Sequence, residues 1–280
     1  MKTIHTRVAH AGVGEHMFFG HQVLSDLLGK ETLTGLLAMA ILGRRVTVEE
    51  RDLLDGLTGS VTAADPRIWP LKVSRMLASR GEMLAGFAAG QLAMMGTYIS
   101  PRIIGHAAEH LGRLRIALDG KSGEDIERTL RDHVDANPRL AGYGVPLREQ
   151  DERLQALRRF MGRSGRAALP NWRAQAALSE HLLREKGLAA NVGIGLAAAL
   201  LDMDCTPTQA GALSTLLHQH DFAANAFEAA QQCAEEMQRL PDECVSYIGP
   251  APRNSPRAAA ACTARGPSTL GLDNPDSAAP

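Results

Sequence analysis

The sequence predicts an all-α fold, and three observations carry the prediction. Only 4% of its 280 residues are aromatic while alanine, leucine and arginine abound, the composition of packed helices rather than of β-branched, aromatic strands. Apolar residues recur at helical spacing in segment after segment. Helix punctuation surrounds those segments, with Thr, Ser or Pro at their starts and Gly or Pro at their ends. No strand signal of any length and no internal repeat accompany them.

The elements follow in order. After a polar lead-in, HQVLSDLLG (21–29) and TLTGLLAMAILGRR (32–45) read as helices closed near their ends by glycine. TVEERDLLDGLTGS (47–60) opens with a capping box, Thr47 with Glu50 three residues on. In TAADPRIWPLKVSRMLASRG (62–81) a prolyl turn precedes a helix, and EMLAGFAAGQLAMMGTYIS (82–100) is a second one whose Gly86, Ala89, Gly90 and Ala93 share a face narrow enough for close helix packing. SPRIIGHAAEHLGRLRIAL (100–118) is a loop running into an amphipathic helix. SGEDIERTLRDHVDANPRL (122–140) starts at Ser122 with acidic residues matching the helix dipole, and Asn137-Pro138 ends it. A glycine-built turn and a charged helix occupy AGYGVPLREQDERLQAL (141–157). Helices then follow at 171–187, at 191–204, and from 206 to 240, the last capped by Thr206 and begun by Pro207. The Pro-, Ala- and Ser-rich stretch 250–280 lacks periodicity and reads as a disordered tail.

Composition excludes several classes of function. Lys+Arg 30 against Asp+Glu 31 leaves no basic excess for nucleic acid or an anionic membrane. Cys205, Cys233, Cys244 and Cys262 lack CxxC spacing, so neither a disulfide framework nor a zinc site is expected, and no metal or permanently bound cofactor is predicted. The first 20 residues hold no uninterrupted apolar region, and NVGIGLAAALLDM (191–203) is too short to span a bilayer, so the expectation is a soluble, cytoplasmic protein.

Across residues 19–250 the order of these pieces resembles the citrate synthase superfamily, in particular its shorter members of the citryl-CoA lyase kind. RMLASRGEMLAGFAAGQLAMMG (75–96) resembles the helix pair leading to the family's first catalytic loop. GYGVPLREQDER (142–153) resembles its GYGH loop and DPR element. The segment from Asn191 to His218 is similar in spacing to the family's NVDFYSG stretch and following helix, with Glu228 at the family's glutamate. The resemblance implies a larger helical domain (1–104 and 205–249), a smaller inserted one (105–204), and a cleft between them. It also implies a homodimer packed through helices, which would give the small-residue helix 86–93 a partner. The implied reaction makes or breaks a C–C bond between a 2-oxo acid and an acyl-CoA, a coenzyme A thioester being the ligand, by way of a carboxylate and two histidines.

At those three positions this chain has Ile103 or Ile104, Val145 and Gly193, none of which can carry a proton. If the chain is active, its acid and base come from elsewhere, with His106, His218 and Asp65 the candidates. Arg153, at the arginine of DPR, is the candidate fork for a substrate carboxylate, and Arg148 lies near a basic residue that meets CoA phosphates. Gly142 and Gly144 shape the loop by positive φ. The alternative is an inactive homologue that binds CoA or a carboxylate, or that serves as a regulatory partner subunit.

Each candidate has a plainer reading. Arg148, Arg153 and Arg158 also fit the wet face of an amphipathic helix. His218 and His220 point to different sides of a helix, with no third metal ligand in view. His106 and His110 share a face and are either a working pair or idle. Asp65 caps a turn in the plainer reading, and Trp69 is either a core anchor or a substrate wall.

Overall fold

Helices account for nearly all the regular structure in the computed structural model, which describes residues 3–62, 64–95, 101–145, 148–232 and 241–250. Its α-helices are α1 (Leu33–Leu42), α2 (Val48–Val61), α3 (Trp69–Ala78), α4 (Met83–Ala93), α5 (Pro101–Leu118), α6 (Glu124–Ala136), α7 (Glu152–Arg163), α8 (Pro170–Lys186), α9 (Val192–Leu201), α10 (Pro207–Leu217) and α11 (Gln219–Ala230). Pro146 and Leu147, Cys233 and Cys262, and the expected tail from 251 onward lie outside the described residues. The chain divides into two compact units, Met1–Met237 and Gln238–Pro280. In the second, the described residues hold one turn of 3-10 helix, Asp242–Cys244, and a hydrogen bond from the Tyr247 hydroxyl to the Pro250 carbonyl.

In the first unit, α9 forms the centre. Every residue from Val192 to Leu200 is buried, as a helix apolar on all sides requires. Around it pack α5, α7, α8 and α10, and Leu53 and Leu57 of α2 join Leu111, Leu154, Ile194 and Leu213 in one apolar cluster. That cluster draws on both sides of the boundaries expected at 104 and 204. Smaller apolar clusters tie α3 and α4 to α11 through Leu71, Met94 and Phe222, and through Ala78, Ala226 and Ala229.

The small face of α4 has its partner within the chain. A Cβ on Gly86 would stand 2.5 Å from the Ser74 carbonyl, and one on Gly90 would stand 2.5 Å from the Phe222 ring. The face therefore seats α3 and α11, which corrects the expectation of a second chain on it.

Four local readings change. Residues 9–22, expected to be a polar lead-in running into a helix at 21, form a three-stranded antiparallel sheet, β1 (Ala9–Ala11), β2 (His16–Phe18) and β3 (His21–Gln22). Strands this short, with no buried face, carry no alternation to be read. The segment 21–29 contributes a single π-turn, Val23–Leu27, whose Leu24 and Ser25 amides donate to the Glu15 carboxylate. The cap of α6 is Gly123 at φ +52, with no side-chain cap bond, and not Ser122. The helix expected over 206–240, of which 233–240 lie outside the described residues, breaks at His218. There the backbone N–H turns to Thr215, and the imidazole Nδ1 takes over the Ser214 carbonyl at 2.6 Å.

Candidate functional site

Residues 141–145 cross the start of α9 and are laced to it by backbone bonds. The Gly144 amide donates to Ala189 O (2.7 Å) and the Asn191 amide to Gly142 O (2.9 Å). Asn191 is the N-cap of α9: its Oδ1 accepts from the Gly193 amide at 2.9 Å while its Nδ2 donates to Gly144 O at 3.1 Å. Gly142, at φ +91, also lets the loop lie directly on Ile194, whose Cβ would be 2.7 Å from an added Cβ.

Beneath the loop runs a buried polar chain. His110 of α5 donates from Nε2 to Ala141 O at 3.0 Å, which leaves its Nδ1 to accept from His133 Nε2 at 3.4 Å. Burial keeps both rings neutral, with His133 pushed down to about 4 by burial and then by the neighbouring His110 and Arg113. Burial likewise raises the Tyr143 hydroxyl above its ordinary range.

On the other side of the loop, Asp151 is the N-cap of α7 and is almost fully buried. It accepts from the Val192 amide at 2.8 Å and from the Arg153 amide at 3.0 Å. The Arg153 guanidinium closes on it through Nε (2.9 Å) and Nη2 (2.9 Å). Burial alone would raise the Asp151 carboxyl, but these donors and the arginine charge outweigh it and hold it below the usual carboxylate range. The Arg153 side chain remains 52% exposed while its Nε and Nη2 hold Asp151, so the guanidinium is fixed on one side and solvent-accessible in part.

His218 stands between α10 and α11. Burial lowers it, the charges of His220 and Arg153 add to that, and the Ser214 carbonyl and Asp221 only partly oppose. With Nδ1–H on Ser214, the neutral ring presents Nε2 as a lone pair. His220 lies 2.9 Å from the Thr62 hydroxyl, which brings the segment before α3 to the same junction. Asp65 holds Arg67 through backbone and guanidinium, and that arginine, with a smaller contribution from Arg148, keeps its carboxyl at about 2. Arg148 in turn pairs with Glu152 at 2.7 Å.

The geometry thus gathers Asp65 near Arg148, and Arg153 near His218, around the loop of Gly142 and Gly144. His106 is exposed on α5 while His110 is buried, so the two do not form a working pair. Trp69 is 44% exposed, which removes the core-anchor reading. At the three positions where the resemblance leads one to expect proton carriers, the side chains are aliphatic or absent. Ile104 Cδ1 would lie 3.2 Å from a Cβ at Gly193, so the isoleucine rests against the glycine, and Ile103 and Val145 are half-buried. The roles of Asp151 and His110 are absent from the sequence reading. An Asp directly before a helix was the available signal for the first; His110 was marked only as a face-mate of His106, not as a partner of the Ala141 carbonyl. Among the described residues no group of three or more His, Cys, Asp or Glu is placed to hold a metal, and no helix is long and apolar enough to cross a membrane.

No protein-family model and no curated protein matches the sequence. Solved structures do match the fold. Citryl-CoA lyase from Hydrogenobacter thermophilus is similar with a TM-score of 0.76 at 20% identity, over 92% of this chain and 100% of that one. ATP citrate lyase from Methanothrix soehngenii, solved with citrate and coenzyme A, is similar with a TM-score of 0.70 at 15% identity, over 90% of this chain and 42% of that one. Citrate synthase from Thermoplasma acidophilum, solved with carboxymethyl coenzyme A and oxaloacetate, gives 0.58 at 14%, over 80% and 59%. The chain has a mostly helical, citrate synthase-like fold.

Proposed function

We propose that this chain binds a coenzyme A thioester and a 2-oxo acid or related carboxylate around the 141–145 loop, between the 105–204 insert and the helices flanking it, without running the proton transfers of C–C bond formation or cleavage. One observation carries the reading. Beside the loop, where α5 meets the start of α9, Ile104 rests on Gly193, while the half-exposed Arg153 side chain is held on Asp151 nearby. An anion grip without a proton carrier is a binding site, and fold alone does not supply the reaction. Arg148 is assigned to the CoA phosphates, and Gly142 and Gly144 to shaping the loop. A homodimer or a regulatory partnership with an active relative, in the cytoplasm, fits such a protein.

A second reading keeps catalysis, and His218 favours it. Its neutral Nε2 offers a lone pair near Arg153. Asp65 is a poor acceptor at neutral pH, since Arg67 holds it at about 2. His106 remains the other candidate acid.

Calorimetry with coenzyme A, acetyl-CoA, citrate and oxaloacetate, run beside an assay of free thiol release, separates the readings. Heat without thiol release supports binding alone. Turnover that His218→Ala abolishes overturns it in favour of the second reading, and silence in both assays refutes both.

A further inference from the structure

We propose that Asp151 is the positioning residue of this site, a single buried carboxylate that presents the Arg153 fork and fastens the 141–145 loop to it through α9. The inference rests on the binding reading above and names the group that makes it work.

Each Asp151 oxygen accepts two hydrogen bonds. Oδ1 takes the Arg153 amide and Nε, and Oδ2 takes the Val192 amide and Arg153 Nη2. A carboxylate so saturated has no lone pair left for a ligand or a proton, and its side chain is only 2% exposed. Its work is therefore done through its partners. The Arg153 bonds fix the guanidinium on one side and leave it solvent-accessible in part. The Val192 bond pins the first turn of α9, whose cap Asn191 holds Gly142 and Gly144 by the bonds already described. Guanidinium and loop backbone are thus set by one group.

The chain carries its own comparison. Asp65 and Arg67 repeat the Asp-x-Arg pattern with the same three kinds of bond, amide to Oδ1 (2.8 Å), Nε to Oδ1 (3.0 Å) and Nη2 to Oδ2 (2.6 Å). That pair is exposed, 41% at Asp65 and 89% at Arg67, and the Asp65 carboxylate bonds to Arg67 stay within its own turn. Burial and the bond to a second element distinguish Asp151. An arginine already held in its binding rotamer loses less freedom on meeting an anion, which corresponds to about a tenfold gain in affinity.

The test uses the full chain, citrate as the probe, and the 15N resonance of the Arg153 Nε–H. The expected result is a resolved, slowly exchanging Nε–H in the parent protein that disappears in Asp151→Asn, with citrate bound about tenfold more weakly. In Arg153→Gln the further change Asp151→Asn is expected to cost clearly less than it does in the parent, since only its hold on the loop is left to lose. Equal citrate affinity in Asp151→Asn and parent, or additive losses in the double variant, overturns the inference. Arg153→Lys, which leaves Asp151 and its Val192 bond in place, covers the case of an unfolded Asp151 variant: unchanged citrate affinity there means that no positioned fork exists. If the parent binds no citrate, the binding reading fails instead. An averaged Nε–H signal in the parent then refutes Asp151's hold on Arg153 as well, and a resolved one sustains that hold.

Discussion

Gly142→Ala and Gly144→Ala form a matched pair whose difference measures how tightly the loop lies on α9. Both glycines have almost the same backbone, φ +91 and φ +93, so an L side chain meets the same backbone strain at each, about 1–2 kcal/mol. Their surroundings differ. At Gly144 nothing lies within 4 Å of an added Cβ, whereas at Gly142 the methyl would stand 2.7 Å from Ile194 Cβ and 3.0 Å from Ile194 Cα and N. Two of those three atoms are backbone of the buried central helix, which cannot rotate aside. Overpacking of that kind adds about 1–3 kcal/mol, so Gly142→Ala is expected to cost roughly 2–5 kcal/mol against roughly 1–2 for Gly144→Ala. At a chain of this size each kcal/mol moves the midpoint by about 2–4 °C, so the two melting curves are expected to separate by several degrees. Thermal unfolding followed by circular dichroism reads the difference. Equal midpoints would refute the close packing of loop on helix, and with it the account of how the site is held.

Other perturbations follow from the same geometry. Arg153→Gln is expected to weaken citrate binding tenfold or more, on the order of 1.5–3 kcal/mol for a charge-assisted pair, while coenzyme A alone binds nearly as before; parallel titrations check it. Gly86→Val drives a side chain toward the Ser74 carbonyl and Ala78 and is expected to destabilise the contact of α3 with α4 by about 3 kcal/mol or more, seen as a lower denaturant midpoint. The folded state holds His133 at about 4, below its unfolded value near 6.5, so the unfolded chain binds the proton first as pH falls. Stability from this group is therefore complete above pH ~6.5, declines toward pH ~4, and is gone below it, a loss of about 1–2 kcal/mol once solvent around the half-buried ring is allowed for. Denaturation of the parent and of His133→Phe at pH 7 and pH 4.5 is expected to show that increment only in the parent.

How much of this could be read in advance depends on the range of the interaction. The capping boxes at Thr47 with Glu50 and Thr206 with Gln209, Pro170 and Pro207 at helix starts, and the left-handed Gly43 and Gly187 at helix ends are local, and each stands where the pattern requires it. The break at His218 was invisible because helical periodicity continues through it; only the imidazole on the Ser214 carbonyl replaces the missing backbone bond. The sheet at 9–22 was invisible because backbone pairing, not side-chain alternation, makes it. For the site, the residue types at Ile104, Val145, Gly193 and Arg153 were legible from spacing. Their state was not, since it depends on neighbours far along the chain.

Alone, the sequence determined that the chain is helical, that its pieces resemble the citrate synthase order, and that Ile104, Val145 and Gly193 carry no proton, because periodicity, caps and residue identity are properties of short stretches. Only the tertiary structure decided that the small face of α4 is filled by α3 and α11, that His110 holds the loop from below, and that Asp151 joins Arg153 to the start of α9. Those outcomes depend on which distant groups come within hydrogen-bond or van der Waals distance once apolar surface is buried. A buried carboxylate is tolerable only where such donors converge on it.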